Sequence, residues 1–114
     1  MRPTLFGIPN CDTMKKARAW LDGHHVEYRF HDYKKDGIRK ETLEAWVAEL
    51  GWESLLNRKG TTFRKLPDSQ KADLDAAKAI DLMYAQPSMI RRPVLDIGDR
   101  RVVGFSPQAY TALF

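Results

Sequence analysis

The stretch Leu5-Phe6-Gly7-Ile8-Pro9-Asn10-Cys11-Asp12-Thr13-Met14 constrains this chain more than any other. It reads as a short apolar strand, a tight loop, a cysteine, and a helix running on through Lys15, Ala17, Trp20 and Leu21. Met14, Ala17, Trp20 and Leu21 recur every three or four residues, so one helix face is apolar, and Gly23 with His24-His25 ends the helix. Val26-Glu27-Tyr28-Arg29-Phe30 then alternates apolar and polar, the pattern of a second strand. Two strands joined through a helix form a βαβ unit, whose strands pair in parallel.

Beyond this unit the pattern turns helical. Lys34-Lys35-Asp36-Gly37 is a charged turn, and residues 39–50 place Leu43, Trp46, Val47 and Leu50 on one helix face before Gly51 stops it. Residues 52–64 read as irregular, with Leu55-Leu56 as a packed turn and Asn57-Arg58-Lys59-Gly60 as a loop. A third helix is expected over residues 69–85, with Leu74, Ala77, Ile80 and Met83 or Tyr84 facing the core and Pro87 beyond its end. Residues 93–97 and 101–105 flank Gly98-Asp99 as a hairpin. Ser106-Pro107 is a cap followed by proline at the first helical position, so residues 108–114 should form a closing helix. The order is β-α-β, a helical insertion, then ββα. By length, residues 1–114 make one domain, with residues 34–88 as the insertion.

Cys11 is the only cysteine. At the turn where a helix begins, with Asp12 or Thr13 offering cap oxygens, it meets free N–H groups and the positive end of the helix dipole. Both favour thiolate, the nucleophilic form, and Lys15, Lys16 and Arg18 add positive charge within two turns. Free cysteines are also among the most buried residues, which is the competing reading. The polar Pro9-Asn10 ahead of Cys11 favours the reactive thiol.

A lone cysteine closes no internal disulfide, which points to a reducing compartment, and the cytoplasm is expected. No apolar run approaches the roughly 18 residues a membrane span needs, and no signal-peptide pattern opens the chain. A net charge of +4 arises from 19 basic and 15 acidic residues mixed together, a solvated surface rather than a nucleic-acid face. The pairs Arg91-Arg92 and Arg100-Arg101 read as surface and site charge. His24, His25 and His31 match no zinc spacing, and no metal is expected. A monomer without nucleic-acid or membrane partners is the expectation.

Three motifs carry a family resemblance: Phe6-Gly-x-Pro-x-Cys11, Leu55-Leu56-Asn57-Arg58 before Phe63-x-x-Leu66, and Met89-Ile90-Arg91-Arg92-Pro93-Val94. In these the chain resembles the arsenate reductase (ArsC) family, which includes the Spx regulators and the YffB-like proteins. Cys11-Asp12-Thr13-Met14, the Gly60-Thr61-Thr62-Phe63 segment and the short C-terminus resemble the YffB branch. The resemblance implies a thioredoxin-like α/β fold with a mostly helical insertion between the second and third strands. It also implies Cys11 as the catalytic nucleophile, with Asn10, Arg92, Pro93 and Arg58 as the substrate- or anion-binding residues. A cis bond is implied at Arg92-Pro93, where backbone groups would pair with an extended thiol such as glutathione. Asn57 competes with Arg58 for the first of the family's anion-binding arginine positions.

Two departures from the family pattern narrow the activity. The position of a further arginine in the arsenate reductases holds Gly104 or Phe105 here, which argues against arsenate as substrate. The Spx regulators often carry two cysteines separated by two residues, and Met14 takes the second place. The expected function is therefore a glutathione-dependent thiol reductase working through a single-cysteine mixed disulfide, with glutathione as co-substrate and no tightly bound cofactor. An arsenate reductase-like enzyme and a non-enzymatic, Spx-like regulator docking on RNA polymerase are the alternatives.

Overall fold

The computed structural model describes residues 2–114. In chain order, β1 (Thr4–Gly7), α1 (Asp12–Gly23) and β2 (Arg29–Asp32) are followed by the single turn α2 (Tyr33–Asp36). Then come α3 (Lys40–Leu50), α4 (Trp52–Leu55), α5 (Thr61–Arg64), α6 (Asp68–Lys71), α7 (Ala76–Ala85) and a 3-10 turn, Pro87–Met89. β3 (Val94–Asp96), β4 (Arg101–Val103) and α8 (Pro107–Thr111) complete the chain. These elements form two compact units: residues up to Asp36 together with Arg92–Phe114, and Gly37–Arg91.

The first unit holds a four-stranded sheet in the order β2-β1-β3-β4. β1 runs parallel to β2, with Gly7 opposite Asp32, and antiparallel to β3, with Phe6 opposite Val94. β4 is antiparallel to β3. This is the β-α-β, ββα layout the sequence implies. Leu5 of β1, Met14, Ala17 and Leu21 of α1, Leu95 of β3 and Tyr110 of α8 form one fully buried cluster. Their spacing in α1, three then four residues, stacks them over successive turns. Each buried leucine contributes on the order of 1.5–3 kcal/mol.

Gly7 serves this packing. A Cβ there would lie 2.6 Å from Met14 Cε and closer still to Sδ. The bare backbone of β1 is what lets the Met14 side chain lie against it.

β2 starts three residues later than the alternation suggests. The Val26 N–H donates to the Leu21 carbonyl (3.0 Å), still closing the helix, and the Arg29 N–H donates to Pro3 O (2.8 Å) where the strand begins. Val26, Tyr28 and Phe30 nevertheless all pack on the core, so the alternation identifies the face but not the ladder. Residues 34–37, read as a turn, belong partly to α2. The Asp32 carboxylate accepts from the Lys34 N–H (2.9 Å) and folds the chain into that helical turn, and Gly37 leaves it with φ 61°. Ser106 caps α8 by accepting from the Ala109 N–H (3.1 Å), but the helix ends at Thr111 rather than 114.

In the second unit α3 buries Leu43 and Trp46 and stops at Gly51, φ 86°. Residues 52–64 are not irregular throughout. They contain α4 and α5, which bury Leu55 and Phe63, and Leu56 bridges Ile90. The single helix expected over 69–85 is broken in two. Asp73 sits at φ 53°, and the Asp75 carboxylate accepts from the Lys78 N–H (2.8 Å), starting α7 afresh. α7 buries Ala79 and Met83, whereas Ala77 is exposed and Leu74 lies outside the helix. Among the described residues, no helix is long and apolar enough to cross a membrane.

Candidate active site

Cys11 stands where β1 hands over to α1. The strand ends at Gly7, a loop through Ile8, Pro9 and Asn10 follows, and Cys11 is the helix N-cap with extended backbone (φ −138°, ψ 130°). Asp12 and Thr13 are therefore not the caps. They are the first two helical residues. The Cys11 carbonyl accepts the first helical bond, from the Lys15 N–H at 2.9 Å. A cap position leaves the next N–H groups without carbonyl partners, and here the residue beside them carries the sulfur.

That geometry decides the thiol's acidity. Burial against the core edge raises its pKa, but the Met14 N–H, the Arg92 side chain, the Thr13 N–H and the Arg92 charge together outweigh burial. The net result lies below the ordinary thiol value. Cys11 remains partly exposed, so a reactant can reach it.

Sheet register explains how Arg92 arrives. Phe6 is opposite Val94 in the antiparallel pair, so two residues further on Arg92 lies level with Ile8, at the start of the cysteine loop. The Arg92-Pro93 peptide bond is cis, as the family resemblance implies, and Pro93 is buried with its carbonyl accepting from the Gly104 N–H (2.8 Å). Asn10 is exposed immediately before Cys11. Cys11, Asn10, Arg92 and Pro93 thus share the end of the sheet where the parallel strands point, the side on which such sheets present ligand sites.

Arg58 belongs to the second unit. There it is exposed, with its guanidinium 5.5 Å from the Trp52 ring centroid. Asn57, its competitor, is committed to the loop: its Oδ1 accepts from the Lys59 N–H (3.1 Å) and its backbone N–H donates to Met89 O (2.8 Å). Of the two, Arg58 is exposed and Asn57 half-buried. His24 stacks on Trp20, ring centroids 3.8 Å apart. Among the described residues no three His, Cys, Asp or Glu side chains gather as a metal-binding group.

Sequence reasoning passed over Tyr33. Its ring is buried, stacked 6.3 Å from Phe6 and edge-on to His31 at 5.9 Å. Burial holds its hydroxyl protonated far above the usual range, against the opposing pull of the Arg92 charge. The available signal was position: Tyr33 directly follows β2, as the cysteine loop follows β1.

A four-stranded mixed sheet with a cysteine capping the first helix and a cis proline opening the third strand defines a thioredoxin-like α/β protein. The ArsC family pattern matches residues 6–113, and the chain belongs to that family. It is similar to a solved protein named YFFB, with 65% identity, 96% of each chain covered and a TM-score of 0.95. An arsenate reductase (ArsC) related protein from Brucella melitensis is 55% identical, covering 98% of this chain and 93% of its own, with a TM-score of 0.80. The global transcriptional regulator Spx of Streptococcus pyogenes is 32% identical over 90% of this chain and 78% of its own length.

Proposed function

We propose that the protein is a glutathione-dependent thiol reductase in which Cys11 is the only nucleophile. The observation that carries this reading is Cys11 itself: a partly exposed, acidified thiol capping α1 beside Arg92. The Cys11 thiolate attacks the glutathione sulfur of a mixed disulfide. The old S–S bond breaks, the substrate leaves as thiolate, and Cys11 becomes bonded to glutathione. A second glutathione thiolate attacks that bond, regenerating the Cys11 thiolate and releasing glutathione disulfide. One reduced glutathione is consumed per turnover: its sulfur is oxidised to the disulfide level as the substrate sulfur is reduced to a thiol. The glutathione of the original mixed disulfide stays at the disulfide level, and no second protein cysteine is needed. Arg92 stabilises the thiolate before attack and offers a planar fork to a carboxylate or other oxyanion of the reactant. Asn10 and the backbone at Pro93 line the approach.

The ArsC relationship supports oxidoreductase chemistry, and the missing arginine at Gly104 or Phe105 directs it toward thiols rather than arsenate. The Spx relatives favour one other reading, a regulator that acts by docking on RNA polymerase. The separating experiment supplies a glutathionylated peptide and glutathione and follows peptide release. Turnover that Cys11→Ser abolishes supports the enzyme. Absence of turnover, with arsenate also untouched, hands the protein to the regulator reading.

A further inference from the structure

Tyr33 carries a buried polar atom that the free protein does not use. The residue is 4% exposed, and its hydroxyl is closed to water with no hydrogen-bond partner among the described residues. A phenol that pairs with nothing is uncommon, since buried polar groups almost always find a partner and cost stability when they do not. Its place in the sheet suggests a use. Gly7 of β1 is opposite Asp32 on one side, and Phe6 is opposite Val94 on the other. Continuing both registers, Tyr33 and Arg92 flank Ile8 from its two sides, with backbones about 10 Å apart, twice the strand spacing. Both side chains are long enough to meet across that gap. Phe6 and His31 hold the Tyr33 ring in place, and the hydroxyl feels the Arg92 charge.

We infer that Tyr33 is a positioning residue for Arg92: its hydroxyl oxygen accepts an N–H of the guanidinium when a reactant occupies the site, fixing the fork that holds the reactant's anionic group. This rests on the thiol-reductase reading above. A phenol oxygen suits the task because arginine only donates, so a neutral acceptor steadies it without neutralising its charge. Hydrogen bonds of an active site are often long when the site is empty and tighten on binding. In the free protein Arg92 serves the Cys11 sulfur, and Tyr33 is idle.

The test compares wild type, Tyr33→Phe, Arg92→Ala and the double variant with the glutathionylated peptide and glutathione. Tyr33→Phe should raise KM roughly tenfold, the size of one hydrogen bond to a charged group, and leave kcat little changed. It should leave the pH midpoint of Cys11 alkylation unmoved, because the bond is absent in the free protein. The unfolding midpoint should stay the same or rise, since an unpartnered hydroxyl is removed. In the Arg92→Ala background the same change should have no effect. An unchanged KM overturns the proposal, and so does loss of folding in Tyr33→Phe, which would reveal a partner in the free protein. An equal penalty without Arg92 overturns it too, because the hydroxyl would then touch the reactant itself. If wild type turns over no peptide, the reductase reading fails, and Tyr33 is read separately by inorganic phosphate protecting Cys11 from iodoacetamide. The protective concentration should rise roughly tenfold in Tyr33→Phe. No protection in wild type contradicts Arg92 as an anion fork and Tyr33 as its support.

Discussion

At the scale of the residue, two opposing effects meet on one sulfur. Partial burial disfavours the Cys11 thiolate, and two helix N–H groups with one guanidinium favour it more strongly. Removing Arg92 deletes a hydrogen bond and a charge at once, so Arg92→Ala should move the midpoint of Cys11 alkylation upward toward the ordinary thiol value. Arg92→Lys should restore only part of the shift, since a point charge cannot reproduce the fork. Stopped-flow alkylation across pH measures both, and a midpoint that ignores position 92 would contradict this account of the site. The same linkage has a stability side. Because the folded protein lowers the thiol pKa, its contribution is complete above the ordinary thiol range and is lost as pH falls through the folded value. Cys11→Ser should remove that dependence. The cysteine and Arg92 were readable in the sequence, one from its loop and one from the motif around Pro93. Tyr33 was not, because a tyrosine after a strand gives no sign of an unused hydroxyl until the sheet register sets it across Ile8 from Arg92.

At the scale of the element, α1 is held to β1 by a contact that neither strand nor helix propensity reveals. Met14 lies where Gly7 has no side chain, so Gly7→Ala forces a methyl group onto the sulfur and should destabilise the fold by about 1–3 kcal/mol, as overpacking does. Shortening Met14 in the same protein should recover part of the loss, and denaturant unfolding of the single and double variants checks this. In α7, Asp75→Ala removes the carboxylate that accepts from the Lys78 N–H and should cost about 0.5–2 kcal/mol. A change below that range would mean the break at Asp73 is set by something other than the cap. Elements with a clean apolar stripe were legible within a residue or two, as α1 and α3 illustrate. The run over 69–85 was not, because its apolar spacing continues across Asp73 and Asp75, where a left-handed backbone and a new cap end one helix and begin another. β2 misled in a different way: Val26 and Tyr28 keep the strand's face, but the Val26 N–H is still occupied with closing the helix and the ladder begins only at Arg29.

At the scale of the whole molecule, a chain with one cysteine carries out disulfide chemistry only with thiols from outside. Met14 occupies the N3 position of α1, separated from Cys11 by two residues. Met14→Cys should convert the protein to a dithiol that closes an internal disulfide with Cys11 and sheds a bound glutathione unaided. Intact mass would find it two hydrogens lighter than its reduced form. The central claim is that the wild-type protein exchanges Cys11 with glutathione, and the most direct measurement is intact mass after treatment with glutathione disulfide, followed by added glutathione. The account predicts a single glutathione adduct on Cys11, absent from Cys11→Ser and removed again by the added thiol. A folded protein whose Cys11 alkylates readily yet takes up no glutathione would contradict it.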